Sequence, residues 1–137
     1  MEGILYKELS YAVHGAAIEV RKDFGPGHKE KLYQTALAQE FNRRGLVFEQ
    51  EKSISIYSPK DGQKVGLYRP DFVVDNKIIV ELKAQRFVPR DEIARVYDYL
   101  RNSTYELAYL INFISTPLFV KRIILTNDHK PQIKTNT

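Results

Sequence analysis

The chain has 137 residues, with a hydrophobic fraction of 43%, a charged fraction of 28% and a net charge of +4. That length suits one domain, and that composition excludes a disordered chain. No apolar run reaches the roughly 20 residues of a membrane span, and no basic segment followed by an apolar core marks a secretory leader. There is no cysteine, so disulfides, thiolate zinc sites and a cysteine nucleophile are excluded, and a reducing, cytoplasmic setting is expected. The modest positive charge is compatible with a polyanionic partner, although it serves an ordinary soluble surface equally well.

Leu5, Leu9, Ala12/Val13, Ala16 and Val20 recur with helical spacing, and Asp23-Phe24-Gly25-Pro26-Gly27 stops that helix. A second helix carries Leu32, Tyr33, Ala36, Leu37 and Phe41 on one side and ends at residues 42–45. Alternation then predicts a strand over residues 46–57, with Phe48, Ile54 and Ile56 on one parity. Ser58-Pro59-Lys60-Asp61-Gly62 is turn chemistry, and residues 65–74 form the second strand. After Asp75-Asn76-Lys77 comes a third strand, residues 78–83, apolar enough to be buried on both faces. A loop with Pro89 leads into a helix over residues 90–102, striped by Ile93, Val96/Tyr97 and Leu100. Residues 107–113 and 118–125 are two further strands. The order ααβββαββ predicts an α/β (α+β) domain over residues 1–125, a mixed sheet flanked by helices, with a loose polar tail over residues 126–137.

Chemistry concentrates where the third strand ends in Glu81-Leu82-Lys83. Residues i and i+2 of a strand share a face, so Glu81 and Lys83 point the same way and need partners. Asp71, in Arg69-Pro70-Asp71, can lie across the hairpin from Glu81. Register decides this. A two-residue turn at Asp75-Asn76 pairs Asp71 with Val80 and turns the carboxylates to opposite faces. A three-residue turn, Asp75 to Lys77, pairs Asp71 with Glu81 and is the register expected here, with Asn76 or Lys77 left-handed. Two adjacent carboxylates suit a hard cation such as Mg²⁺, with the Leu82 carbonyl as a further ligand and Lys83 beside it to orient or deprotonate a water. The competing reading is a buried Asp71–Lys83 salt bridge. The bare Asp…Glu-x-Lys pattern arises readily by chance, so its strand context is what distinguishes it from Asp75-Asn76-Lys77 and Asp128-His129-Lys130.

A second constellation is Gly27-His28-Lys29-Glu30-Lys31-Leu32-Tyr33, where Glu30 lies in a first helical turn and Tyr33 one turn on. Read alone it is also an ordinary acidic N-terminal turn followed by a core tyrosine. Gly27-x-x-Glu30-x-x-Tyr33 resembles the motif that names the GxxExxY protein family, placed in the PD-(D/E)xK nuclease superfamily. The likeness runs through Ala36-Leu37, Gly45-Leu46, Gln50, Tyr57, Arg69-Pro70-Asp71 and Val80-Glu81-Leu82-Lys83-Ala84. It continues to Ala94, Tyr99-Leu100 and Leu110-Ile111-Asn112-Phe113.

The resemblance implies a restriction-endonuclease-like core and a Mg²⁺-dependent nuclease, with Mn²⁺ able to substitute. It implies Asp71 and Glu81 as metal ligands, Lys83 as catalytic lysine, and Glu30 reaching the metal directly or through water. In that family the third helix usually carries Gln and, four residues on, Tyr; this chain has Arg95 and Tyr99, with Asp98 where Asn is common. Substrate contacts are therefore expected from Tyr33, Arg95 and Tyr99, with Arg86 and Arg90 along a phosphate backbone. Arg95 can equally pair with Glu92 or Asp91. The implied partner is DNA or RNA, and restriction-like folds often dimerise, which allows a homodimer. The alternative is a non-catalytic module binding nucleic acid or protein on the same fold.

Overall fold

The computed structural model describes residues 5–88 and 90–130; Pro89 and the tail from residue 131 onward lie outside the described residues. Helix α1 (Lys7–Phe24) buries Val13, Ala16, Ala17 and Val20, a stripe at the spacing of one helical face. Gly25 ends it at φ 67°, a left-handed position open to glycine without steric cost, and its N–H bonds back to the Arg21 carbonyl. Helix α2 (Glu30–Arg43) turns Tyr33, Ala36, Leu37 and Phe41 inward. The alanines of both helices let their axes approach closely as they pack together.

Among the described residues seven strands follow: β1 (Phe48–Gln50), β2 (Ile54–Tyr57), β3 (Lys64–Tyr68), β4 (Phe72–Val74), β5 (Ile78–Lys83) and, after helix α3 (Arg90–Arg101), β6 (Leu107–Asn112) and β7 (Phe119–Ile124). Five of them form one sheet in the order β1-β4-β5-β6-β7, while β2 and β3 pair only with each other. The β5–β6 pair, bridged by α3, is parallel and the others are antiparallel, giving the expected mixed sheet.

The two long hairpin arms expected from alternation are each broken. The first breaks after Glu51, which is left-handed at φ 54°. The second breaks at Arg69-Pro70-Asp71, where Pro70 has no N–H for the ladder. The breaks also undo the shared face expected for Phe48, Ile54 and Ile56. Phe48 packs with α1 and α2, whereas Ile54 and Ile56 pack with α3 on the other side of the sheet.

Two apolar layers sandwich the sheet. Phe72, Val74, Ile78, Val80, Leu82, Leu107, Tyr109 and Ile111 face α1 and α2. Val73, Ile79, Ala108, Leu110 and Ile123 face α3 through Val96 and Leu100. Tyr97, expected in the α3 stripe, is instead exposed. Strand β5 is buried on both faces from Ile78 to Val80. The hairpin turn spans Asp75 to Lys77, with Val74 paired to Ile78. Asn76 takes the left-handed conformation expected of it or Lys77 (φ 51°), and Asp75 beside it is left-handed as well (φ 50°). Of the expected polar tail, Asn127–His129 forms a 3-10 turn, and Lys130 Nζ donates to the carbonyls of Ser103 (2.8 Å) and Tyr105 (2.6 Å).

Phe72 is fully buried, with its ring edge-on to Phe41 and Phe48 at 5.2 and 5.6 Å. Phe72→Ala should cost about 3–5 kcal/mol in denaturant unfolding. A loss under about 1 kcal/mol would mean that this layer does not close as described.

A candidate metal and phosphate site at the end of β5

The three-residue turn carries the hairpin register on to Asp71 and Glu81, which lie opposite one another just beyond β4. Both have the parity of Val73 and Ile79, so both side chains lie on the α3 face, as does Lys83. Beyond Pro70 the ladder closes through side chains. The Asp71 N–H donates to Glu81 Oε1 (2.9 Å), and the Leu82 N–H donates to Asp71 Oδ2 (2.8 Å). Each carboxylate is thus fixed by a backbone amide of the other's strand. Asp71 Oδ1 and Glu81 Oε2 take no hydrogen bond from the described residues.

Charge at this point is poorly compensated. Burial, then the Asp71 charge, pushes the Glu81 carboxyl up to about 7, against the opposing pull of the Asp71 N–H and Lys83. Burial also raises the Asp71 carboxyl; the Leu82 N–H and Lys83 lower it, while Glu30 and Glu51 push it further up. The Tyr68 hydroxyl is buried beside Glu81, couples to it electrostatically and has no well-formed hydrogen bond among the described residues. Two free carboxylate oxygens with surplus negative charge suit a hard divalent cation. Among the described residues, no group of three His, Cys, Asp or Glu side chains could hold a metal ion. The fit is therefore to a cation content with two carboxylates and filling its other positions with water, backbone or phosphate, as Mg²⁺ does.

Glu30 does not join the pair as a third carboxylate. It opens α2 and is exposed, although its charge is felt at Asp71. Leu82 meets the site through its amide N–H. Tyr33, expected at the substrate, is instead wholly buried. Its hydroxyl donates to the Gly25 carbonyl and accepts the His28 N–H (3.1 Å), and its ring stacks on Phe113 at 4.8 Å. Those bonds leave it bracing the loop into α2, because a core aromatic needs a partner for its hydroxyl.

Lys83 pairs not with Asp71 but with Glu92 of α3, Nζ to Oε2 at 3.5 Å. The same oxygen takes Arg95 Nη2 at 2.5 Å, one of the two pairings open to Arg95 in the sequence. Arg95 remains half exposed. Tyr99 stacks on Tyr68, rings 3.7 Å apart, so the two aromatics wall the site beside Glu81. Arg86 and Arg90 are exposed along the loop and at the start of α3.

Sequence reasoning missed Glu92 as the partner of Lys83, and missed Tyr68 and Asn112. Fully buried Asn112 donates to the Gln85 carbonyl (2.7 Å) and Ser115 Oγ (2.8 Å) and accepts the Gln85 N–H (3.2 Å), which pins the chain just after Lys83. One available signal was a lone amide at the end of an otherwise apolar strand. The other was an acid three residues before Arg95.

The raised Glu81 pKa fixes a direction. The folded state holds a proton between the ordinary value of 4.5 and about 7 that the unfolded state releases. Without metal, stability should fall as pH rises through that window, by about 3 kcal/mol. Glu81→Gln, which keeps the acceptor for the Asp71 N–H, should flatten the fall in urea titrations. An equally steep fall in the variant would place the titrating group elsewhere.

No curated protein and no solved structure matches this chain. A family comparison matches residues 7–123 to the PD-(D/E)XK nuclease superfamily. Nuclease membership implies a nucleic-acid substrate, and such nucleases generally use divalent metals. No described helix is long and apolar enough to cross a membrane. With its helix-flanked mixed sheet, and a match over most of its length, the chain belongs to the PD-(D/E)XK nuclease superfamily.

Proposed function

We propose that the chain is a Mg²⁺-dependent nuclease that hydrolyses phosphodiester bonds of nucleic acid, with Mn²⁺ able to substitute. One observation carries the reading: Asp71 and Glu81 are locked side by side through each other's strands, each with a free oxygen, and Lys83 shares their face. Asp71 and Glu81 would hold the ion with the Leu82 carbonyl, and Glu30 would complete its outer shell through water. When bound, the ion supplies polarisation of the phosphate and a more acidic water.

The chain's own groups do the rest. Lys83 orients the attacking water and meets the negative charge that develops on the phosphate oxygens. Glu92 holds that ammonium between the site and α3. Arg95, with its exposed guanidinium edge, grips a neighbouring phosphate, and Tyr99 stiffens the wall through its stack on Tyr68. Arg86 and Arg90 follow the backbone outward. The narrower kinship, with the GxxExxY proteins, is supported by Gly27, Glu30 and Tyr33 at the entry to α2 and by Asp71, Glu81 and Lys83.

The second reading is a nucleic-acid-binding module with an idle site, favoured by the engagement of Lys83 with Glu92. Cleavage of a panel of single- and double-stranded DNA, RNA and a branched junction, with Mg²⁺ or Mn²⁺, separates the two. The nuclease reading expects metal-dependent cleavage that falls at least about a hundredfold in Lys83→Ala, the scale of losing one transition-state donor. Binding without cleavage of any substrate by folded wild type would favour the module.

A further inference from the structure

Phe87 is the most exposed large hydrophobic side chain among the described residues, at 75%. It does not sit on a loose segment. Two residues before it, the Gln85 backbone is clamped on both its N–H and its carbonyl by buried Asn112. One residue after it, Val88 packs into the apolar layer under α3. The loop is held at both ends, and the ring between them is held out.

The group shown beside the ring is a cation. The Arg86 guanidinium lies 5.8 Å from the ring centre, and Arg90 is exposed three residues on. Of the acids that follow, Asp91 is exposed beside Arg90 and Glu92 is committed to Lys83 and Arg95. A protein partner would need a wider apolar patch around this ring. One aromatic face beside an arginine matches a stacking platform on a phosphate-lined path. Phe87 is four positions after Lys83, at most about 14 Å of extended chain. A base stacked on Phe87 would therefore belong to a nucleotide within a few positions of the scissile phosphate.

We propose that Phe87 stacks on an unpaired base beside the scissile phosphate, so that this site takes single-stranded segments: loops, overhangs or flaps. A base inside a duplex already has both faces stacked and offers none to the ring. The inference rests on the nuclease reading and adds the substrate class to it.

The test measures binding of short oligonucleotides carrying 2-aminopurine, single-stranded and fully paired, to wild type, Phe87→Ala, Phe87→Leu and Phe87→Trp. The side chain is exposed, so each variant should keep the wild-type melting curve. Stacking predicts quenched 2-aminopurine on the single strand with wild type and Phe87→Trp. It also predicts about tenfold weaker single-strand binding in Phe87→Ala and Phe87→Leu, with duplex binding changed less than about twofold. An equal loss on the duplex, or rescue by Leu as good as by Trp, overturns the stacking assignment while the nuclease reading stands. Failure of wild type to bind or cut any nucleic acid, with Phe87 capturing a protein instead, overturns both.

Discussion

Two half-buried carboxylates are held side by side because each accepts a backbone amide from the other's strand. The rest of the site follows from that constraint. It requires the Asp71–Glu81 register, and hence a connection of three residues between β4 and β5. It uses Pro70, whose missing N–H ends the ordinary ladder and leaves the side chains to complete it. It also leaves both carboxyls raised, by burial first and by neighbouring negative charge after it. A half-buried pair of this kind is unfavourable for an empty fold and favourable for one that receives a cation.

The supports of the site converge on the carboxyl ends of the parallel pair β5 and β6, where open α/β sheets place their ligands. Asn112 ties the end of β6 to the segment after Lys83. Just beyond it, Phe113 stacks on Tyr33 and so joins β6 to α2, while Arg21 of α1 donates to the carbonyls of Phe113 and Ser115. From the other face, α3 delivers Glu92 to Lys83 and Tyr99 to Tyr68. Both apolar layers therefore anchor the same end of the sheet, and the loop bearing Phe87 leaves from there.

Much of this was legible in the sequence because it follows from local rules. Helical spacing located α1, α2 and α3, and an apolar run located doubly buried β5. Period-two parity together with turn length put Asp71, Glu81 and Lys83 on one face. Parity was a poorer guide where the backbone itself breaks. Glu51 at a positive φ and Pro70 split two apparent strands into four, and the residues beyond each break changed partners. The role of Tyr33 was hidden because a buried tyrosine and a substrate tyrosine look alike until the hydroxyl's partners are seen. The bond from Glu92 to Lys83 was hidden for another reason. It joins a helix to a strand across a layer, and no spacing rule reaches across a layer.

The central claim is that the Asp71–Glu81 pair is a divalent-cation site, and calorimetric titration of the metal-free protein with Mg²⁺ and Mn²⁺ near neutral pH tests it most directly. The account predicts binding that releases protons, because the Glu81 carboxyl, raised to about 7, is partly protonated there. The observed heat should therefore change with the ionisation enthalpy of the buffer, and binding should vanish in Asp71→Asn. Binding that is unchanged in Asp71→Asn, or absent from the folded wild type, would contradict the account.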